Sequence, residues 1–313
     1  MRATRVAAAQ LPACGDDQAA NLAVVESALS EAASAGADLV VLPELATTPY
    51  FAGEPAGAHR DWAEPVPGPL TERVGGLAAA LGVAVVLPLF ERDLASGTFH
   101  NSAVVLNGDQ GDRIVPCVDR AGRPHRLARK LHLPVGDDPA PGFDEPAHFT
   151  PGDWLGLHDV AGLLLGTLIC YDRRFPECWR ELRALGADLA VVPIAGSGGD
   201  STEFFLGELR THARENGVFA VAANKIGTEW VGGHPVDNFG ESCVVGPDGE
   251  LLAHRPGADG PGLVLADIDL DVLAATRAQL RYFEHRRTDL FPGPLPTPPL
   301  LASQCSVKHE EAS

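Results

Sequence analysis

The chain has 313 residues, of which 45% are apolar, and a formal net charge of −18. This length is enough for one large hydrophobic core or two. The negative charge disfavours binding to nucleic acid or to an anionic membrane surface, because phosphate groups attract clustered positive charge, and no apolar stretch reaches the roughly 18 residues of a membrane span.

Apolar runs alternate with helical spacing along the first half of the chain. The pattern predicts strands over residues 4–12, 37–43, 83–90 and 100–107, with helices over 16–35 and 69–81 between them. The second of these strands ends abruptly in Glu44. Residues 108–126 are rich in Gly, Asp and Arg and predict a hairpin or a loop, after which come Lys130 and His132. A Pro/Gly/Asp-rich loop over 135–153 follows.

The central stretch places a thiol between a strand and a helix. An apolar run over residues 163–169 predicts a fully buried strand that stops at Cys170. The charged loop Asp172-Arg173-Arg174 follows, and Pro176 stands at the favoured first position of a helix. Because cations and a helix N-terminus both favour a thiolate, Cys170 is a candidate nucleophile. The alternative is a small buried core residue, which is what most free cysteines are.

The second half continues the alternation. Helices are predicted over 176–185, 203–215 and 271–287, and strands over 187–194, 218–224, 242–246 and 262–269. The motif Gly-Ala-Asp-Leu-x-Val-x-Pro occurs at Gly36 and again at Gly186, which hints at an internal two-fold repeat. The alternation indicates an α/β fold, with residues 1–290 as one domain. The proline-rich tail, 291–313, is expected to be disordered or an arm that reaches a partner subunit.

The counts of cysteine, histidine and lysine are informative. The six cysteines are sparse, lack a Cys-x-x-Cys pair and follow no secretory signal, so they predict reduced thiols in a cytoplasmic protein. The eleven histidines show no zinc-binding spacing. Only three of the 24 basic residues are lysines, namely Lys130, Lys225 and Lys308. A lysine kept in a motif of such a chain indicates a task that suits a compact ammonium better than a planar guanidinium.

Three reactive side chains stand at or near the ends of predicted strands, where α/β proteins collect their functional groups. If they meet, Glu44 can act as general base, Cys170 can attack a carbonyl, and Lys130 can hold the developing oxyanion. The backbone N–H of Tyr171 is a natural second donor to that oxyanion. The alternative reading of Glu44 is a solvated carboxylate or a helix cap, and that of Lys130 is a surface charge.

Several motifs together resemble the nitrilase superfamily of carbon–nitrogen hydrolases. The resemblance covers about residues 4–270 and rests on Pro43-Glu44, Arg129-Lys130-Leu131-His132-Leu133-Pro134, Cys170-Tyr171-Asp172-Arg173-Arg174-Phe175-Pro176-Glu177, Phe149-Thr150-Pro151-Gly152-Asp153 and the run from Arg214 to Asn224. It implies a four-layer αββα sandwich, assembly into a homodimer or a higher homo-oligomer, and the Glu–Lys–Cys roles given above. The second glutamate of that family falls on Glu145, with Asp144 as a near rival.

The resemblance also bears on the substrate. The sequence Cys170-Tyr171-Asp172 is similar to that of amide and carbamoyl hydrolases rather than of true nitrilases, and the pair Arg173-Arg174 is similar to that of hydrolases of N-carbamoyl amino acids. In that group the arginines are associated with the substrate carboxylate, which a guanidinium can bind in bidentate fashion, and His132 matches a position near the substrate. An ion pair of Arg173 with Asp172 or Glu177 is the alternative. The segment 194–197 departs from the D-specific carbamoylases.

The leading hypothesis is therefore hydrolysis of an N-carbamoyl amino acid or a related small ureido acid, without metal or organic cofactor. The first alternative is an ω-amidase or aliphatic amidase that acts on a plain carboxamide. A non-catalytic binding protein on the same fold is an alternative of another class. A serine hydrolase is disfavoured, because Gly196-Ser197-Gly198 lacks the Gly-x-Ser-x-Gly frame.

Overall fold

The computed structural model describes residues 3–107, 113–136, 142–196 and 200–290, so the predicted tail at 291–313 lies outside the described part. Its α-helices are α1 (Gln18–Ser34), α2 (Pro69–Leu81), α3 (Pro176–Leu185), α4 (Thr202–Asn216) and α5 (Leu270–Leu280). Within the described ranges, no helix is both long and apolar enough to cross a bilayer. The strands are β1 (Thr4–Pro12), β2 (Leu39–Val41), β3 (Ala84–Arg92), β4 (Phe99–Leu106), β5 (Ile114–Val115), β6 (Cys117–Asp119), β7 (Pro124–His125), β8 (Ala128–Arg129), β9 (Val135–Gly136), β10 (Phe143–Asp144), β11 (Gly156–Val160), β12 (Leu163–Thr167), β13 (Leu189–Ile194), β14 (Phe219–Val231), β15 (His234–Phe239), β16 (Ser242–Val245), β17 (Leu251–Arg255) and β18 (Gly262–Ile268).

Most of the strands form two sheets, which are joined where the ends of β1 and β14 pair in parallel. The first sheet has the order β5-β4-β3-β2-β1-β18, with β8 also beside β4. The second has the order β7-β6-β11-β12-β13-β14-β16-β17, and β15 pairs with the far half of β14. The short pair β9-β10 stands apart from both sheets.

Three hydrophobic layers separate the sheets and helices. Val41 and Val191 lie in the core between the two sheets. Their sequence neighbours point the other way: Val40 packs in the core beneath α1 and α2, and Val192 packs with Trp179 in the core beneath α3 and α4. Because these strands are buried on both faces, they form continuous apolar runs in the sequence. The predicted four-layer αββα sandwich is confirmed.

The two sheets repeat one topology. The unit β1-α1-β2-α2-β3-β4 has three parallel strands followed by an antiparallel one, and β12-α3-β13-α4-β14-β16 has the same order and directions. Each unit also carries an antiparallel strand on its first strand, β18 in one and β11 in the other. The repeated motif at Gly36 and Gly186 leads into the equivalent strands β2 and β13, so the hint of an internal repeat reflects the topology.

The predicted elements differ from the observed ones at several boundaries. Helix α5 ends at Leu280 rather than near residue 287, because Arg281 adopts a left-handed backbone with φ of 50°. Strand β14 runs past residue 224 to Val231 and turns into β15 through Gly232 and Gly233. A Gly-Gly pair is a recognised hairpin signal, and the prediction missed it together with β11.

This topology brings the predicted reactive residues to one edge. Strands β2, β1, β14, β13 and β12 all run in the same direction, because each neighbouring pair is parallel. Glu44 follows the end of β2, and Cys170 follows the end of β12. Both therefore lie at the carboxyl edge of the joined sheets, where parallel α/β proteins bind their ligands.

Candidate active site

A single buried ammonium group connects two carboxylates at this edge. The Nζ atom of Lys130 lies 2.8 Å from Oε1 of Glu44 and 2.6 Å from Oε1 of Glu145. All three side chains are almost completely buried. Burial by itself lowers the pKa of Lys130, but the charges of Glu145 and Glu44 outweigh it and hold that pKa above its ordinary value. Lys130 is thus a permanent positive charge inside the protein.

The carboxylate of Glu44 is fixed by hydrogen bonds from three directions. Besides Lys130, the side-chain amide of Asn101 donates to Oε1 at 2.7 Å, and the backbone N–H of Ala195 donates to Oε2 at 2.9 Å. Asn101 lies on β4 and Ala195 follows β13, so both sheets contribute to the orientation of one side chain. This pre-organisation is what a general base requires.

The second carboxylate belongs to Glu145 and not to Asp144. The hydroxyl of Tyr50 donates to Oε1 of Glu145 at 2.9 Å, next to Lys130, whereas Asp144 is exposed and caps a short 3-10 turn. Oε2 of Glu145 is buried without a hydrogen-bond partner among the described residues. Burial first and the nearby charge of Glu44 then raise the pKa of Glu145 to about 7, although Lys130 and Tyr50 oppose them.

Cys170 opens a 3-10 turn in a strained backbone conformation. Its φ of 47° is left-handed, which costs a non-glycine residue on the order of 1 kcal/mol and is often found at functional sites. The residue as a whole is partly exposed, and Glu44, Lys130 and Arg173 interact electrostatically with its thiol.

The charge state of Cys170 differs from the sequence-based expectation. Burial first, and then the negative charge of Glu44, raise the pKa of the thiol to about 12 against the opposing effects of Lys130 and Arg173. The expected preference for a thiolate is therefore wrong for the resting protein. Because the thiol keeps its proton, nucleophilic attack by sulfur requires a base that removes the proton as the bond forms.

Asp172 ties the nucleophile turn to the segment that carries Lys130. Its carboxylate accepts the backbone N–H groups of Ile169 and Leu131 at 3.2 Å and that of His132 at 2.9 Å. The ring of His132 also lies 2.8 Å from Asp172 through Nδ1 and stacks on Phe175. His132 thus stabilises the contact between these two segments. About a third of its side chain is exposed.

The two predicted arginines lie beside the thiol, and both already form ion pairs with acidic side chains. Arg173 Nη2 lies 2.6 Å from Asp200 Oδ2 and its Nε lies 2.9 Å from Glu208 Oε2, while Arg174 Nη2 lies 2.7 Å from the same oxygen of Asp200. Arg173 is buried and Arg174 is partly exposed. We call Arg173, Arg174, Asp200 and Glu208 the arginine–carboxylate cluster, and its formal charge is zero. The acidic partners are therefore Asp200 and Glu208 rather than Asp172 or Glu177.

Other site residues had weaker signals in the sequence. Tyr171 packs edge-on against Phe175, and its amide lies in the first turn after Cys170. Tyr50, Asp200 and Glu208 were not predicted, because nothing local marks them as partners of distant side chains. Ser197 lies outside the described residues. In the described part of the chain, no group of three His, Cys, Asp or Glu side chains could hold a metal ion.

Comparison with known proteins gives matches over nearly the whole chain. The family profile described as carbon-nitrogen hydrolase matches residues 5–278. The N-carbamoylputrescine amidase of Solanum lycopersicum is 32% identical over 302 residues, which is 93% of this chain and 94% of that protein.

Solved structures give the same result. The carbon-nitrogen hydrolase from Helicobacter pylori G27 has a TM-score of 0.76 at 28% identity and covers 92% of this chain and 97% of its own. A mutant of the amidase from Nesterenkonia sp. AN1 has a TM-score of 0.70 at 27% identity and covers 92% of this chain and 95% of its own. In that structure the acetamide moiety of fluoroacetamide is covalently attached to the active-site cysteine.

Replacement of Tyr50 by phenylalanine tests the pKa of Glu145. The Tyr50 hydroxyl stabilises the ionised carboxylate, so its loss is expected to raise the pKa of Glu145 further. One hydrogen bond of about 1 kcal/mol corresponds to a shift of about 0.7 pH unit. The limb of the kcat/KM–pH profile near pH 7 should move upward by about that amount. The exposed Tyr282 gives the control variant Tyr282→Phe, and an unmoved limb in Tyr50→Phe would exclude Glu145 as its source.

Proposed function

This chain belongs to the carbon-nitrogen hydrolase family, and within that family we propose that it hydrolyses small N-carbamoyl compounds with Cys170 as the nucleophile. The family membership makes it an amidase-type hydrolase. The observation that carries the proposal is the shared contact of Lys130 with Glu44 and Glu145 beside a thiol that keeps its proton. This arrangement supplies a base, a fixed positive charge and a nucleophile at one edge of the joined sheets.

In the proposed first half-reaction, Sγ of Cys170 attacks the ureido carbonyl carbon while Glu44 accepts the thiol proton. The carbonyl oxygen gains negative charge, which Lys130 and the backbone N–H of Tyr171 stabilise. The C–N bond to the terminal amino group then breaks, and Glu44 returns the proton to the leaving nitrogen, so that ammonia departs. A carbamoyl thioester remains on Cys170.

The second half-reaction uses water. Glu44 or Glu145 removes a proton from a water molecule, which attacks the thioester carbonyl and restores the thiol. The released carbamate decays to carbon dioxide and an amine. A group with a pKa of about 7, as Glu145 has, can accept or donate a proton near neutral pH.

The arginine–carboxylate cluster is relevant to whether the substrate carries a carboxylate. Arg173 and Arg174 had pointed to a substrate carboxylate, but Asp200 and Glu208 balance their charges. A substrate carboxylate would therefore meet a formally neutral cluster. We propose that the enzyme recognises the N-carbamoyl group and does not require a carboxylate on the substrate. Both an N-carbamoyl amino acid and an N-carbamoyl amine would then be substrates, the latter as in the name of the N-carbamoylputrescine amidase of Solanum lycopersicum.

A plain carboxamide is the second candidate substrate. It is supported by the amidase from Nesterenkonia sp. AN1, whose active-site cysteine carries an acetamide moiety. The chemistry at Cys170 would be the same, because ammonia leaves from an acyl carbon in both cases. Assembly of several copies of the chain and a cytoplasmic location also remain predictions that rest on the sequence.

A substrate panel with ammonia detection tests the proposed function. The panel contains N-carbamoyl-alanines, N-carbamoylputrescine and ω-amides of dicarboxylic acids. Ammonia is expected from the N-carbamoyl compounds, and Cys170→Ala should abolish its release, whereas the buried-cysteine control Cys243→Ala should retain it. Ammonia from the ω-amides alone would reject the carbamoyl proposal in favour of the second candidate.

Replacement of Asp200 by asparagine tests the balance of the cluster. It leaves one guanidinium charge uncompensated, and a charge-assisted hydrogen bond of about 1.5–3 kcal/mol corresponds to roughly tenfold or more in affinity. The ratio of kcat/KM for N-carbamoyl-alanine over N-carbamoylputrescine should therefore rise about tenfold. The control Glu203→Gln removes the same charge from the exposed start of α4. An unchanged ratio in Asp200→Asn would show that the cluster does not face the substrate.

A further inference from the structure

A second buried ion pair lies on β14, and the proposed reaction does not use it. Lys225 Nζ is 2.8 Å from Glu229 Oε1, and both side chains are fully buried. A buried ion pair is weak support for stability, because removing two charges from water costs about as much as their attraction returns. Its presence in the core therefore suggests another role, which the remaining hydrogen bonds of the pair define.

Those hydrogen bonds hold the backbone of one segment. The carboxylate of Glu229 accepts the N–H of Tyr50 at 2.8 Å through Oε2 and the N–H of Cys14 at 3.0 Å through Oε1. The ammonium of Lys225 donates to the backbone oxygen of Thr48 at 2.8 Å. The pair thus holds the backbone of residues 48 and 50 by hydrogen bonds.

The segment held by these hydrogen bonds, residues 45–50, joins two parts of the site. It begins directly after Glu44 and ends at Tyr50, whose hydroxyl holds Glu145. Leu45, the first residue after Glu44, has a left-handed φ of 50°, so the chain leaves Glu44 in a conformation that other contacts must maintain. Lys225 also interacts electrostatically with Glu44 itself.

The choice of lysine fits this role. Lysine is rare in this chain, yet two of its three lysines, Lys225 and Lys130, are fully buried. Lys225 donates to one carboxylate and one carbonyl oxygen, and it also interacts with the thiol of Cys14. An ammonium can serve two such acceptors, whereas a buried guanidinium has five N–H donors to satisfy.

We infer that Lys225 and Glu229 are positioning residues for the hydrolysis: they clamp residues 45–50 so that Glu44 and Tyr50 keep their places beside Lys130. This inference rests on the proposed roles of Glu44 and Glu145. It assigns the pair an effect on the rate of the chemical step and on the ionisation of Glu145, beyond any effect on stability.

The variant Glu229→Gln tests the inference with purified full-length protein. With the N-carbamoyl compound that the wild type hydrolyses best, kcat should fall at least about tenfold while KM stays within about threefold, as expected for a displaced catalytic group. The acidic limb of the kcat/KM–pH profile should also shift upward, in the direction expected for Tyr50→Phe. The double variant with Tyr50→Phe should then lose less activity than the product of the two single losses, because both changes act through one contact.

A matched control separates positioning from stability. Asp119 is also a buried carboxylate that accepts two backbone N–H groups, from Ala121 and Arg123, and pairs with the guanidinium of Arg123 in its own hairpin. The variant Asp119→Asn should lower the thermal midpoint and leave kcat and the pH profile unchanged. If Glu229→Gln fails to fold, the charge-neutral double variant of Lys225→Gln with Glu229→Gln takes its place, since it leaves no unpaired buried charge.

Each outcome decides the inference. A folded Glu229→Gln protein, or double variant, with the kcat and pH profile of the wild type would overturn it and leave the proposed function intact. If the wild type releases no ammonia from any panel compound, the proposed function fails by itself. The inference is then judged by the pH profile of Cys170 alkylation by iodoacetamide, followed by peptide mapping. That profile must shift in the variant, and an unshifted one would overturn the inference.

Discussion

The ammonium of Lys130, buried between two carboxylates, is the interaction on which the site depends. Burial, together with the nearby charge of Glu44, raises the pKa of Glu145 to about 7, because the one ammonium is shared between two carboxylates. The surrounding structure supplies the compensating contacts. Asn101 and a backbone amide hold Glu44, and Tyr50 holds Glu145. The four-layer fold makes this possible, because parallel strands from both sheets end at the same edge.

Charge balance around the thiol determines the chemistry. Among the described residues, each cation near Cys170 has an acidic partner, since Lys130 binds Glu44 and Glu145 and the two arginines bind Asp200 and Glu208. Burial therefore keeps the thiol protonated, and its pKa rises to about 12. A protonated cysteine beside a fixed carboxylate favours a mechanism in which the proton moves during attack. The same balance reduces the attraction that the arginines offer to a substrate carboxylate.

The apolar runs of the sequence predicted the α/β class, and the resemblance to the family implied the four-layer sandwich. Glu44 and Cys170 became candidates because buried parallel strands form apolar runs that stop abruptly at polar residues. The resemblance to the family also put the second glutamate at Glu145, with the neighbouring Asp144 as a rival. The sequence could not reveal Tyr50 or Asp200, whose partners lie far away in the chain and depend on tertiary packing. The sequence analysis counted Lys225 among the few lysines but assigned it no role, and only the structure showed that it pairs with Glu229.

The most direct test of this account is the rate at which substrate acylates Cys170, measured by rapid quenching and mass spectrometry of the peptide that contains it. The wild type should accumulate the thioester on Cys170. The variant Glu44→Gln keeps the shape of the side chain but cannot accept the thiol proton, so acylation should be roughly 10²–10⁴-fold slower, the usual contribution of a general base. Acylation of Glu44→Gln at the wild-type rate, or an adduct on another cysteine, would contradict it.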